Sequence, residues 1–268
     1  MKKLIFQLAV MLLIMAAIWA FFTQIDFVKI LRPQQKLEQG EKKLGELLLN
    51  VYKMQSERID DPLNDAYLNS ILEPLFDAND IDPQSISIYI LRSDAVNAFA
   101  LPGRNVVLLS GLIDFVDGPE ELIAIIAHEI AHLEADHVMR KLRREIGITA
   151  LLSLVSGNYN LDLMREIASL IATNSYSRVL ENEADKLALD YMYAAEIDPM
   201  ALVKVFMLFA ESFGSVPQQL QWISTHPQSV DRADRLEMLL AAKPSKSYRT
   251  FDRQEWKQFK TRLQAFNP

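Results

Sequence analysis

Hydrophobic side chains recur along most of this chain with a helical period, in segments that short turns separate. Between Gln34 and Ile59 the apolar positions are spaced near 3.6 residues, and a second such stripe begins after Asp61-Pro62. Aspartate is favoured just before a helix and proline in its first turn, so this pair marks a helix start. The pattern therefore predicts two successive amphipathic helices.

The periodicity then changes from helical to alternating. Residues 85–90 alternate polar and apolar side chains, residues 96–101 follow with a second short run that Pro102-Gly103 closes, and residues 105–109 give a third. Short alternating runs bounded by turn residues are typical of half-buried strands. We expect these three strands to form a small antiparallel sheet.

Helical patterns return after the sheet and continue towards the C-terminus. The strongest runs from about Asp117 to Arg144, and another includes residues 177–191. Further helices are expected over residues 200–212 and 232–241, and the tail from Lys243 is expected to dock back as a short helix. The chain is thus expected to be α+β and mainly helical.

The N-terminus has a different pattern. Nineteen residues from Leu4 to Phe22 contain one clearly polar side chain, Gln7, and follow Lys2 and Lys3. At about 1.5 Å per residue, a helix of this length spans the hydrocarbon core of a bilayer. The run ends in bulky aromatic residues where a cleavage site needs small ones, which favours an uncleaved anchor.

These features predict two parts and a location. Residues 1–33 are expected to form a membrane anchor with its juxtamembrane segment, and residues 34–268 a single domain. The basic N-terminus favours a cytoplasmic tail, so the domain is expected outside the cytoplasm, tethered by one pass through the cell membrane.

Composition removes several classes of function. The net charge is −7, and no basic cluster with interleaved aromatic residues is present, which argues against nucleic-acid binding. The chain has no cysteine, so disulfides, thiolate nucleophiles, cysteine-ligated zinc and an N-terminal lipoprotein anchor are excluded.

The candidate chemistry begins in the helix over residues 117–144. His128 and His132 are four residues apart and share one helix face, with Glu129 between them. Such an H-E-x-x-H motif can hold one metal ion and supply a glutamate that handles water. A polar stripe on a surface helix is the alternative, but it fits poorly with the apolar residues just before the motif. His137, some 140° further round a continuous helix, is expected to be structural.

A catalytic zinc ion usually takes a third protein ligand, which without cysteine must be histidine, aspartate or glutamate. Glu181 and Asp185 share a face of a later helix, whereas Glu183 points nearly opposite. Glu181 can be the ligand, and Asp185 can accept a hydrogen bond from a ligand histidine. Arg178 can neutralise this acidic pair. By spacing alone, an ordinary charged surface helix is the favoured explanation of the segment.

Together these motifs resemble metallopeptidase family forty-eight, the gluzincin family that includes the CAAX prenyl proteases. The H-E-x-x-H motif is followed by E-x-x-A-D at residues 181–185, and the order of motifs extends from about Asp61 to Leu240. Four further matches are residues 97–103 (N-A-F-A-L-P-G), residues 110–112 (S-G-L), residues 176–178 (Y-S-R), and Thr225-His226-Pro227 with Arg232.

The resemblance implies a zincin-like catalytic domain whose small sheet packs on the motif helix, with one Zn²⁺ per chain. By that resemblance the zinc ligands are His128, His132 and Glu181, and Glu129 is the general base and later the general acid. His226 and Arg232 would contact the oxyanion of the tetrahedral intermediate. His226 can instead occupy the open metal position in a resting form, and the residues alone equally allow a loop-capping histidine.

The expected function is a zinc endopeptidase of the single-anchor bacterial envelope type that acts on unfolded or misassembled envelope proteins. Asn97, Ala98 and Phe99 are candidates for an edge strand that pairs with an extended substrate, although a plain core strand explains them equally well. A zinc-bound chaperone or scaffold with little turnover is one alternative, and a purely structural anchored domain without metal is another. The pattern carries no prediction of oligomeric state.

Overall fold

The computed structural model describes residues 33–155, 160–212, 220–227 and 229–266. The chain separates into two compact units, residues 1–40 and 41–268. The apolar run predicted to anchor the chain, Leu4 to Phe22, lies outside the described residues. Among the helices within the described ranges, none combines the length and the apolar character needed to cross a bilayer.

The described chain is mainly helical, with one three-stranded sheet near its start. Its elements in chain order are α1 (Pro33–Gln55), α2 (Pro62–Ala78), β1 (Ser87–Leu91), β2 (Ala98–Leu101), β3 (Asn105–Leu109), α3 (Ser110–Phe115), α4 (Pro119–Glu134), α5 (His137–Val155), α6 (Leu161–Thr173), α7 (Arg178–Ala194), α8 (Met200–Ser212), α9 (Gln221–Thr225), α10 (Ser229–Ala241) and α11 (Arg253–Ala265). A single 3-10 turn, Pro83–Ser85, precedes β1.

The sheet is mixed, so the prediction of an antiparallel sheet was wrong for one of its two pairings. Strand β3 lies in the centre, antiparallel to β2 and parallel to β1. The tight turn at Gly103, whose φ is 71°, makes β2 and β3 a hairpin. Because β3 inserts between β1 and β2, these two strands do not pair although they are consecutive in the chain, and β2 remains at an edge.

Helix α4 is shorter than its hydrophobic pattern predicts. It ends at Glu134 rather than near Arg144, and Ala135 caps it by donating its backbone N–H to the carbonyls of Ala131 and Leu133. Asp136 has a φ of 56°, in the left-handed region, and a new helix begins at His137. The chain therefore changes direction immediately after the H-E-x-x-H motif.

Strands β2 and β3 are buried on both faces, and the sheet separates two apolar cores. On one side, Ala98, Val106 and Leu108 belong to the core that surrounds α4. On the other, Phe99 and Val107 pack with residues of α1, α5 and α6. Every residue of α4 from Glu121 to His132 is buried, so the motif helix is the central element of the domain.

The C-terminal tail forms α11, as the sequence predicts, and it supports the start of α4. Trp256 and Phe259 are buried in the main core, and the Trp256 indole donates to the Asp117 carbonyl at 3.1 Å. Lys260 donates to the carbonyl of Asp114 at 2.8 Å. These contacts fix the segment that leads into the motif helix.

Candidate metal centre

The three predicted ligands come together inside the domain. His128 and His132 extend from adjacent turns of α4, and their Nε2 atoms are 3.1 Å apart. Glu181 reaches them from α7, with Oε2 3.5 Å from the His128 Nε2 and Oε1 3.6 Å from the His132 Nε2. All three side chains are buried. Helices α4 and α7 pack along each other, which brings the two sequence motifs into one site.

His226 joins this cluster from the end of α9. Its Nδ1 lies 2.9 and 3.1 Å from the two Glu181 carboxylate oxygens and 3.2 Å from the His128 Nε2. One ligand atom from each of these four residues falls within 4.8 Å of the others. Two imidazoles with a carboxylate, and a third imidazole beside them, are donors that zinc prefers, and buried donors facing one another need a cation between them. The donor set therefore fits zinc.

Glu129 lies next to the ligands without belonging to the cluster. Its Oε1 accepts a hydrogen bond from the Trp222 indole at 3.2 Å and is 3.4 Å from the His226 Nε2. Its Oε2 is buried and has no hydrogen-bond partner among the described residues. A buried carboxylate oxygen without a partner leaves room for a proton donor such as water.

A buried arginine pairs with the acidic residues of α7. Arg232 Nε donates to Asp185 Oδ2 at 2.8 Å and Nη2 to Asp185 Oδ1 at 2.5 Å, while Nη1 is 2.8 Å from Glu181 Oε2. Nη1 also donates to the His226 carbonyl at 3.1 Å. Burial alone would raise the pKa of Glu181, but the charges of His226 and Arg232 hold that pKa well below its usual range.

Asp185 also approaches the outer nitrogen of a candidate ligand. Its Oδ1 lies 3.1 Å from His128 Nδ1, a distance that fits an ion pair, although Nδ1 makes no hydrogen bond of regular geometry. Burial alone would lower the pKa of His128, but Asp185 and Glu181 raise it to about 9. Arg178, predicted to neutralise the acidic pair, is exposed at the first position of α7. Arg232 contacts both carboxylates.

Two residues that the sequence predicts to point away from the ligands, His137 and Glu183, extend the contacts of His132. His137 Nδ1 lies 3.0 Å from His132 Nδ1, and His137 Nε2 lies 3.3 Å from Glu183 Oε2. The break at Asp136 places His137 against the ligand, whereas a continuous helix would have turned it away. One signal was available in the sequence: histidine is scarce, with four in the chain, and His137 lies only five residues after the motif.

Tyr176 and Lys141 cover the outer side of His132. The Tyr176 ring stacks on the His132 imidazole at a centroid distance of 4.0 Å, and the Lys141 ammonium lies 4.4 Å from the centre of the same phenol ring. Lys141 also donates to the carbonyls of Asn174 and Ile171, at the end of α6. Burial lowers the pKa of Lys141 to about 8. Lys141 of α5 therefore connects the end of α6 to the Tyr176 ring, which in turn covers His132.

The predicted substrate strand, β2, packs on the motif helix α4. Strand β2 is an edge strand, and the side chains of Ala98 and Phe99 are buried in opposite cores. Asn97 is fully buried, and neither polar atom of its amide has a hydrogen-bond partner among the described residues. Trp222 donates its backbone N–H to the Val96 carbonyl at 3.1 Å, which ties α9 to the start of this edge.

Comparison with known proteins gives the same motifs a wider context. The family model of peptidase family M48 matches residues 62–240, about two thirds of the chain. The chain is 27% identical over 175 residues to the mitochondrial metalloendopeptidase OMA1 of Schizosaccharomyces pombe, which covers 64% of this chain and 51% of that protein.

Two further relatives show a similar extent. Identity is 30% over 190 residues with the mitochondrial metalloendopeptidase OMA1 of Bos taurus, covering 65% of this chain and 36% of that protein. Identity is 25% over 200 residues with the beta-barrel assembly-enhancing protease of Yersinia pestis, covering 70% of this chain and 41% of that protein. The chain spans about half or less of the length of these curated relatives.

Proposed function

The chain belongs to peptidase family M48, and from that membership we propose that it is a membrane-tethered zinc endopeptidase. The observation that carries the proposal is the buried cluster of His128, His132 and Glu181 with Glu129 beside it. The relatives described above are a metalloendopeptidase of two organisms and a protease, which agrees with this activity.

In this proposal Glu129 moves the proton. A zinc ion held by His128, His132 and Glu181 would supply Lewis-acid chemistry, polarising the scissile carbonyl and acidifying water. Glu129 Oε2, which has no other partner among the described residues, takes a proton from the attacking water as its oxygen bonds to the carbonyl carbon. Glu129 then gives that proton to the departing amine nitrogen, so the C–N bond breaks and a carboxyl group and an amine are released.

We assign different roles to the two late residues. Arg232 is engaged with Asp185 and Glu181 and with the His226 carbonyl, so we propose that it positions the ligand glutamate. His226 lies among the ligand atoms, where in a resting form it would occupy the open metal position. Movement of α9 would then open that position to water and substrate.

The substrate is proposed to be an extended segment of an unfolded or misassembled envelope protein. An edge strand such as β2 offers backbone hydrogen bonds that tolerate many sequences, and the unpaired amide of Asn97 supports binding at its start. Helix α6 packs against β2, and the Tyr52 hydroxyl donates to the Ala168 carbonyl at 2.6 Å. Substrate entry in this proposal requires α5 and α6 to move aside.

The proposed setting is the cell membrane, with the domain of residues 34–268 outside the cytoplasm. The support for it is the apolar run from Leu4 to Phe22, which follows Lys2 and Lys3 and is followed by no small-residue cleavage site. Protease digestion of intact and permeabilised spheroplasts tests this orientation, because an external domain is digested in both preparations.

The activity is tested with the full-length chain in a mild detergent and a chemically unfolded reporter protein. Glu129→Gln is expected to retain zinc and to reduce cleavage by about 10²–10⁴-fold, because it removes the proton-transfer group but no ligand. Full activity in Glu129→Gln would overturn the proposal. His226→Ala is expected to keep zinc and to raise the basal cleavage rate, and a lower rate would instead assign His226 to the oxyanion.

A zinc-bound chaperone or scaffold is the second candidate. The position of His226 among the ligands and the packing of α6 on the edge strand favour it, since both close the site. Zinc binding without proteolysis, even after His226→Ala, would support this candidate over the endopeptidase.

A further inference from the structure

We propose that His137 and Glu183 form a positioning relay for the ligand His132. In this relay His132 donates its Nδ1 proton to His137 Nδ1, and His137 donates its Nε2 proton to Glu183 Oε2. The inference rests on the proposed zinc site and extends it to two residues outside the ligand set.

The direction of the His132 ring defines the start of the relay. Its Nε2 faces the ligand cluster, 3.1 Å from His128 Nε2 and 3.6 Å from Glu181 Oε1. Its Nδ1 faces away from the cluster and lies 3.0 Å from His137 Nδ1. An imidazole that ligates a metal through Nε2 carries its remaining proton on Nδ1, so that proton points at His137.

The second histidine can accept that proton only in one tautomer. If His137 Nδ1 accepts, its own proton is on Nε2, and that nitrogen lies 3.3 Å from Glu183 Oε2. A carboxylate at this point favours the required tautomer, because it accepts hydrogen bonds and donates none when ionised. Each group in the chain therefore fixes the protonation of the one before it.

The backbone is arranged to make this contact. The left-handed residue Asp136 ends α4 and starts a new helix at His137, whose side chain is fully buried. Glu183 extends from α7, the helix that also supplies Glu181 and Asp185. One helix thus supports both ligand histidines, His128 through Asp185 and His132 through Glu183 and His137.

Zinc affinity of the full-length chain tests the relay directly, measured in detergent micelles at neutral pH by competition with a chromophoric chelator. His137→Phe keeps a ring but has no acceptor, and we expect its zinc dissociation constant to rise roughly 10–100-fold. His137→Asn places an amide oxygen near the former Nδ1 and should recover most of that loss. Glu183→Gln should raise the zinc dissociation constant by a smaller but measurable factor, up to about tenfold.

Two controls separate a relay from general damage. Asp190→Asn removes another carboxylate of α7, one that is 2.7 Å from Lys243, and should leave the dissociation constant unchanged. Glu183→Gln should have no effect in the His137→Phe or His137→Asn background, because the relay is already cut between the two residues.

The outcomes are distinct. Near-normal zinc affinity in His137→Asn, together with a Glu183→Gln effect that disappears in that background, supports the relay, and these two results suffice if His137→Phe fails to fold. Unchanged zinc affinity in His137→Phe or Glu183→Gln, with only a lower melting temperature of the metal-free protein, would show a purely structural pair. If the unaltered chain binds no zinc, the proposed function fails and the relay with it.

Discussion

The two histidines of the H-E-x-x-H motif share one face of one helix, yet their outer nitrogens have different surroundings. His128 Nδ1 lies 3.1 Å from the Asp185 carboxylate, which accepts two hydrogen bonds from Arg232. All three side chains are buried. His132 Nδ1 lies 3.0 Å from His137, and the contacts continue to Glu183, whose side chain is 48% exposed.

The difference indicates that the two sides have different tasks. On the His128 side, several charges are buried together, so removing any one of them leaves another unpaired in a low dielectric. On the His132 side, Tyr176 stacks on the imidazole, and His137 connects it to Glu183, a carboxylate that is half exposed to solvent. We expect changes on the first side to reduce the stability of the fold and changes on the second to act mainly on the metal.

Replacement of the buried arginine should have the largest effect on stability. Arg232→Leu leaves Glu181 and Asp185 without their cation, and the free energy of unfolding of the metal-free chain should fall by about 3–5 kcal/mol. Urea denaturation followed by circular dichroism measures it. Arg235→Leu is the matched control on the same helix; its partner Asn182 is exposed, so the loss there should stay below about 1 kcal/mol. Equal losses in the two variants would remove the distinction drawn for the His128 side.

The two carboxylates that support the histidines should differ in the same sense. Asp185→Asn retains the shape of the side chain but removes the charge that Arg232 and His128 face, so the free energy of unfolding of the metal-free chain should fall by about 1–3 kcal/mol. Glu183→Gln should change it by less than about 0.5 kcal/mol, since Glu183 is half exposed. A larger loss for Glu183→Gln than for Asp185→Asn would reverse the comparison.

The aromatic cover of His132 should have a smaller effect than either Arg232→Leu or Asp185→Asn. Tyr176→Leu removes the ring that stacks on His132 and lies under Lys141, which should cost about 0.5–1.5 kcal/mol of stability. Thermal unfolding of the zinc-loaded chain measures the change, with Tyr176→Phe as the control that keeps the ring. A similar loss in Tyr176→Phe would assign the contribution to the hydroxyl group rather than to the stack.

The sequence predicted the parts of the site that depend on regular helix geometry. Residues four apart on a helix share a face, so the pairings of His128 with His132 and of Glu181 with Asp185 could be inferred without a structure. The helices over residues 62–78 and 200–212 follow from capping residues and apolar periodicity in the same way, and the pattern predicts a short helix in the tail after Lys243 without bounds.

The remaining features depend on backbone breaks and on contacts between distant segments. The pattern does not reveal the end of α4 at Glu134, because apolar spacing continues beyond it, so the contact of His137 with His132 could not be predicted. The contact of Arg232 with the acidic pair joins two helices that are distant in the chain, so helix spacing does not predict it either. The parallel pairing of β1 with β3 likewise depends on which strand inserts between the others.

The most direct test of the central claim is the zinc content of the purified full-length chain, measured by inductively coupled plasma mass spectrometry after gel filtration. We expect one zinc ion per chain in the unaltered protein and in Glu129→Gln, and almost none in Glu181→Ala, because Glu181 joins the two histidines in the buried donor set. Stoichiometric zinc that survives Glu181→Ala, or its absence from the unaltered protein, would contradict the account.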